Sequence, residues 1–283
     1  MSAKKITLVY GLRSRQLERV IELLRVVQHA TVIDSYYLSK KYKNLTKSKV
    51  PIIVAREIEM ALKRRNKIIV YVESLHRGFR TELLRLLNKL DIQKECLVVA
   101  VKYRDCYASI DDYKEWNTPH KFEGWDAVKL IYPNKKDKEF LGTIDDVINK
   151  YIGYNQSSLY HKHTLGEHMR IAKNTIDNNM ECSIEAYYAT AIHDIGKPFV
   201  RVTDGKKIRY ANHQNVGAYD SLFVNLPNCD IIEVSTIINL HMEPYKWERG
   251  ENFKVNSVKY RELWGEQLYY NVMALHMADK AAH

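Results

Sequence analysis

Six residues in the second half of the chain have types and an order suited to metal chemistry: His168, His193, Asp194, His213, His241 and Asp279. Their centre is the run Ala191-Ile192-His193-Asp194-Ile195-Gly196-Lys197. Adjacent His and Asp between apolar neighbours supply a borderline nitrogen ligand and a hard oxygen ligand from one helical turn. Such a mixed set suits a first-row divalent ion rather than a calcium cage. An ion of that kind acidifies a bound water, which is what a hydrolase needs at neutral pH. Eight of the 11 histidines lie after residue 153, beside acids and helix-compatible apolar runs. His29, His76 and His120 have no matched partners and read as ordinary core or surface residues.

Glu167-His168, the HDIGK run at 193–197, Asn212-His213 with Gly217-Ala218, Leu240-His241-Met242 and His276-Met277-Ala278-Asp279 stand in a telling order. In that order they resemble the successive motifs of the HD-domain phosphohydrolases, over residues 155 to 283. One HD pair occurs by chance, whereas the ordered set around HDxGK is specific. The resemblance implies an all-α fold and metal-dependent hydrolysis of phosphate esters. It implies His168, His193, Asp194 and Asp279 as ligands of one ion. His213 and His241 then match the extra histidines of members that bind a second ion, with Asp194 bridging the two. The expected cofactor is one or two divalent ions, from among Mn, Fe, Mg, Ni, Co and Zn. Asp194 and Lys197 are the catalytic candidates. Lys197 is close enough in sequence to reach a substrate phosphate, or else serves as a helix-end cation favoured by the dipole. His161 and His163, just before the first ligand, either line the substrate mouth or cap a helix.

These residues need helices to hold them. The spacing predicts helices over 165–176, 184–195 (stopped by Gly196 and Pro198), 229–241 and 269–279. A turn at Asp204-Gly205-Lys206-Lys207 sets up a hairpin ahead of His213, and the loop Arg249-Gly250-Glu251-Asn252 is placed to cover the site. The first half reads differently. Apolar runs at 6–10, 31–33, 68–72, 96–101 and 127–132 alternate with helical patterns at 15–27, 52–65 and 79–90, which predicts a parallel α/β sheet with crossover helices. Asp145 to Tyr151 is a short helix, and 153–158 reads as the linker. The expected architecture is an α/β domain over 1–153 and an all-α domain over 154–283.

Residues 4 to 150 resemble the P-loop kinases of the polynucleotide-kinase type. The likeness rests on Ile6 to Gly11 leading into a helix, on Ile68 to Val72 followed by Arg77 and Arg80, and on Phe122-Glu123-Gly124-Trp125-Asp126 before a strand. A working P-loop needs G-x-x-x-x-G-K-[ST], so that backbone N–H groups wrap the phosphates and a Lys neutralises them. Here the turn reads Gly11-Leu12-Arg13-Ser14-Arg15-Gln16-Leu17, with one Gly and no GK[ST]. The expectation is a degenerate kinase-like domain without kinase activity. Arg13, Arg15, Arg77 and Arg80 are its candidates for holding an anion.

The net charge of +10 lies in the first half, where residues 1 to 153 carry 30 Lys and Arg against 19 Asp and Glu. That asymmetry suggests a polyanionic partner, with a solvated basic surface as the plain alternative. No apolar run is long enough to span a bilayer, and no signal-peptide pattern follows Lys4-Lys5. Four cysteines without paired spacing suggest free thiols in a reducing cytoplasm. Three functions follow as expectations. The first is a phosphohydrolase acting on nucleic-acid ends that carry a 2′- or 3′-phosphate or a 2′,3′-cyclic phosphate. The second is the same chemistry on small linear or cyclic nucleotides. The third is a non-catalytic nucleic-acid-binding protein with a structural metal.

Overall fold

The computed structural model describes residues 4–42, 46–157, 162–179, 182–205, 207–250 and 253–283. The chain forms two compact units, one of residues 1–113 and 119–135, the other of residues 114–118 and 136–283.

The first unit is α/β. Its strands are β1 (Lys5–Tyr10), β2 (Thr31–Asp34), β3 (Lys67–Tyr71), β4 (Gln93–Val99) and β5 (Ala127–Ile131), in spatial order β2-β3-β1-β4-β5. Every pairing is parallel. The helices α1 (Arg15–Gln28), α2 (Ser35–Lys41), α3 (Val50–Leu62) and α4 (Arg77–Leu87) make the crossovers, and α5 (Ile110–Lys114) lies between β4 and β5. Parallel strands covered on both faces must be apolar throughout. Leu8, Val9, Ile69, Val70, Val98 and Val99 are accordingly solvent-free.

The motifs that carry the kinase resemblance hold the sheet together. Arg80, expected to face an anion, is fully buried. Its Nε and Nη2 donate to Glu123 Oε2 and Oε1 at 2.8 and 2.7 Å. Arg77 donates to the same carboxylate at 3.3 Å, and so does the Trp125 indole N–H. Asp126 Oδ2 accepts from the Lys94 backbone N–H at 2.6 Å, tying the start of β5 to β4. A buried carboxylate needs such partners, and these arginines supply them. Arg80, enclosed and paired with Glu123, is therefore a structural residue rather than an anion-holding one, while Arg77 shares that carboxylate from a partly exposed position. Arg13 is also engaged, 3.0 Å from Glu73 and 3.6 Å from Glu18. Arg15 stands exposed at the start of α1.

The turn after β1 packs closely against the sheet at Gly11, beside a small cavity of about 230 Å³ lined by Leu12, Arg13 and Glu73. A Cβ on Gly11 would sit 2.6 Å from Val99 O and 2.8 Å from Leu17 Cδ1. Leu12 and Leu17 are buried beneath the turn, and Ser14 Oγ accepts the Leu17 N–H at 3.0 Å. Ser14 thus caps a free amide in the first turn of α1.

The second unit is helical: α6 (Ile144–Lys150), α7 (Leu165–Asn179), α8 (Ile184–Ile192), α9 (Lys197–Val200), α10 (His213–Ser221), α11 (Ile231–Leu240), α12 (Glu243–Arg249), α13 (Phe253–Trp264) and α14 (Glu266–Ala281). The hairpin ahead of His213 is present, with β6 (Val202–Asp204) antiparallel to β7 (Lys207–Arg209). The core lies where α7, α8, α11 and α14 meet, with α10 against α11. The boundary expected at residue 153 falls inside this unit, because Val147 and Ile148 of α6 are buried where α6 packs on α7 and α8. Residues 114–118 also belong to it. Trp116 is fully buried, and the Asn215 and Asn239 amides donate to the carbonyls of Lys114 and Trp116 at 2.7 and 3.3 Å. No helix among the described residues is long and apolar enough to cross a membrane.

With the β1 turn filled by leucines and no GK[ST], transfer of γ-phosphate from ATP is expected to be absent. Incubation with γ-labelled ATP and a 5′-hydroxyl oligonucleotide should leave the oligonucleotide unlabelled. Label that scales with protein concentration would contradict this.

Candidate metal centre

Each of the six predicted ligands sits at or near a helix end. His168 is in the first turn of α7, His213 opens α10, His241 caps α11, and Asp279 is in the last turn of α14. The helix expected over 184–195 ends earlier, at Ile192, so His193 and Asp194 lie in a tight turn before α9. Pro198 does not stop a helix here but sits in the first turn of α9, where it costs no hydrogen bond. Close packing explains the turn. A Cβ on Gly196 would lie 2.1 Å from His213 O and 2.6 Å from Gly217 N. Only glycine lets the backbone of the turn touch the backbone of α10, and that contact brings His213 to Asp194.

Hydrogen bonds set the imidazole orientations. The Nδ1 atoms of His193, His213 and His241 lie 2.8, 2.8 and 2.7 Å from the carbonyls of Thr190, Tyr210 and Ile238. His168 Nδ1 lies 3.4 Å from Ala282 O. A carbonyl can only accept, so Nδ1 carries a proton and Nε2 is the inward atom, able to ligate wherever the ring is neutral. The inward atoms converge. His168 Nε2 and His193 Nε2 are 3.3 Å apart, and His213 Nε2 and His241 Nε2 are 3.2 Å apart. Two nitrogens that each ligate one ion at about 2.1 Å stand roughly 3.0–3.4 Å apart at octahedral to tetrahedral angles.

The carboxylates complete two sets. Asp194 Oδ2 lies 3.3 Å from His193 Nε2 and 3.5 Å from His168 Nε2, while Asp194 Oδ1 lies 3.1 Å from His213 Nε2. Asp279 Oδ1 lies 2.9 Å from His168 Nε2 and 3.3 Å from His193 Nε2. Ligand atoms fall within 4.8 Å of one another in His168/His193/Asp194 and again in Asp194/His213/His241. Both sets could hold a metal ion, and Asp194 is common to them. Asp194 Oδ2 and Asp279 Oδ1 are both buried, the first facing the Lys197 ammonium at 2.5 Å and the second His168 Nε2 at 2.9 Å. A buried carboxylate oxygen is costly unless a cation or a hydrogen-bond donor faces it.

The electrostatics agree with a cation site. Burial works against the charge of His193, but Asp194 and Asp279 outweigh it and hold the imidazole up to about 10. Burial also works against ionising Asp194, yet Lys197 and His193 keep its carboxyl well below the usual range. Asp279 is held low in the same way, against burial, by His193 and His168. His241 is pushed down to about 3, first by burial and then by His213 and His193.

Lys197 is buried, with Nζ 2.5 Å from Asp194 Oδ2 and 2.9 Å from Gln156 Oε1. Gln156 belongs to no motif and no periodic pattern. It is buried, its amide donates to His163 O at 3.3 Å, and Tyr210 Oη donates to its carbonyl at 2.6 Å. His163 thus contributes a backbone carbonyl, and its ring is half-buried. His161 lies outside the described residues. Tyr245 Oη donates to Asp279 Oδ2 at 3.0 Å. Behind it His276, stacked edge-on to Tyr245, pairs with Glu248 at 3.0 Å. His283 joins a further potential set with His168 and Asp279. A cavity of about 560 Å³ opens onto Asp194, His213, His241 and Asp279. Arg249 lines it, while Glu251 and Asn252 of the predicted cover lie outside the described residues. Compared with models of known protein families the chain matches none, and no curated protein matches it.

Two outcomes follow from this geometry. Gly196→Ala should separate the HD turn from α10, costing about 1–3 kcal/mol of stability or more and the ion held by Asp194, His213 and His241. Elemental analysis with thermal melting checks this; unchanged metal content and melting would contradict it. Before an ion binds, His193 is protonated from neutral pH up to about 10. Ligation needs the neutral ring, so binding releases a proton and affinity rises with pH over that range. Calorimetry at pH 7–8 in buffers of different ionisation enthalpy should show about one proton released; no buffer dependence would contradict it.

Proposed function

We propose that the helical unit is a metal-dependent phosphohydrolase of the HD type. Asp194 carries the reading, since its two oxygens face two different histidine sets. His168, His193, Asp194 and Asp279 would hold one divalent first-row ion, and Asp194, His213 and His241 a second. Bound there, such ions supply Lewis acidity, activation of water and a clamp for in-line displacement at phosphorus. The chain's own groups do the rest. Lys197, held by Gln156, places an ammonium beside Asp194, where it offsets phosphate charge in a dry setting. Tyr245 orients Asp279, and the carbonyls at Nδ1 keep the Nε2 lone pairs inward.

The substrate in this reading is a phosphate ester on a nucleotide or on the end of a nucleic acid. The basic first half supports a nucleic-acid end. The tying of Arg13, Arg77 and Arg80 to acids, together with a nucleotide-sized cavity, favours the small-nucleotide alternative. A purely structural metal would sit in a closed ligand set, whereas this centre faces a cavity.

The test uses manganese-loaded protein on end-labelled oligonucleotides with 3′-phosphate or 2′,3′-cyclic phosphate ends, with nucleotides in parallel. Phosphate release or ring opening is expected, and Asp194→Ala should lower it more than about 100-fold while circular dichroism stays native. Near-normal turnover by a folded, metal-replete Asp194→Ala protein would overturn the assignment.

A further inference from the structure

The cavity beside the metal centre carries more positive charge than one phosphate requires. Its acids are Asp194 and Asp279, both assigned as ligands. The other formally charged side chains on its walls are Lys197, Arg209 and Arg249, all cations. Lys197 is already committed to Asp194 and Gln156. Arg209, at the end of β7, has Asp204 Oδ2 at 3.7 Å, both side chains largely in solvent, so that pairing is weak. Arg249 closes α12 and meets no acid among the described residues. Surface cations that only aid solubility need no cavity, and these two line one. Guanidinium forks match phosphate oxygens in pairs, which makes arginine the apt residue for a second anionic group. The same cavity is also lined by Ile208, Tyr210, Met242 and Tyr245, apolar and aromatic side chains with two hydroxyls.

We propose that this cavity takes phosphoesters bearing two phosphates, one on the His/Asp centre and the other on Arg209 and Arg249. The proposal rests on the phosphohydrolase reading for the first phosphate. A ribose with phosphates on both sides has this chemistry. It occurs in a free nucleoside bisphosphate, and also at a nucleic-acid end, where the penultimate phosphodiester is the second anion.

The experiment is equilibrium binding by calorimetry to the manganese-loaded protein, with the ester oxygen of the reacting phosphate in each ligand replaced by a methylene group so that nothing turns over. The ligands are adenosine 3′-monophosphate, adenosine 3′,5′-bisphosphate and a dinucleotide with a 3′-terminal phosphate. The wild-type chain should bind the bisphosphate at least about tenfold more tightly than the monophosphate. Arg209→Gln with Arg249→Gln should remove that preference, and Arg249→Lys should keep part of it. Both arginines are exposed, so folding is not at risk. A dinucleotide tighter than the bisphosphate identifies a nucleic-acid end as the source, and a weaker one identifies the free nucleotide. Equal affinity for mono- and bisphosphate, or a preference that survives in the double variant, overturns the proposal. Turnover by the manganese-loaded wild-type protein is measured separately. No hydrolysis of any phosphoester alongside an intact preference would sink the hydrolase reading and leave the two-phosphate site standing. Hydrolysis without the preference would do the reverse.

Discussion

Two carboxylates and four imidazole Nε2 atoms meet, largely buried, at the floor of a cavity, and the helical unit is organised around their mutual compensation. Like-charged or electron-rich atoms at 3.2–3.5 Å repel unless a proton or a cation lies between them. With protons alone the compensation is partial: His193 and Lys197 carry charge against Asp194 and Asp279, while His241 is held neutral. Divalent cations would satisfy the same atoms together. Breaking such a buried charged set by removing one member costs about 3–5 kcal/mol, so binding and stability are coupled through these residues.

The fold meets that requirement by bringing helix ends together. Histidines at the ends of helices can place Nδ1 against a carbonyl three residues earlier, as His193, His213 and His241 do. Backbone contact between Gly196 and α10 then sets the distance between the HD turn and His213. The Asn215 and Asn239 amides, hydrogen-bonded to each other at 2.8 Å, join α10 to α11 close to His213 and His241. Residues 114–118 cover these asparagines, which is why a segment from before β5 belongs to the helical unit.

Much of this was legible in residue types and spacing. The five strands, their parallel arrangement and the His and Asp residues that the fold brings together emerge from apolar runs and from the order of His and Asp. Other features left no periodic signal. Gln156 comes from a polar linker, Tyr245 from the seven-residue α12, and His283 from one turn beyond Asp279. The partner of Arg80 could not be read from sequence, which gives a charge but not what it faces. Glu123 lies 43 residues beyond Arg80, and only the folded sheet brings them together. The end of α8 at Ile192 was missed because the cause is tertiary, the approach of Gly196 to α10 rather than any local stop signal.

The central claim is that Asp194 joins two ion sites. Electron paramagnetic resonance of the manganese-loaded protein addresses this directly, because ions that share a carboxylate couple magnetically and isolated ions do not. Two manganese ions per chain with an exchange-coupled spectrum are expected. Substitution of His241 should convert that spectrum to the signal of a single uncoupled ion. A wild-type protein that binds only one ion, or two without coupling, would contradict a centre bridged by Asp194.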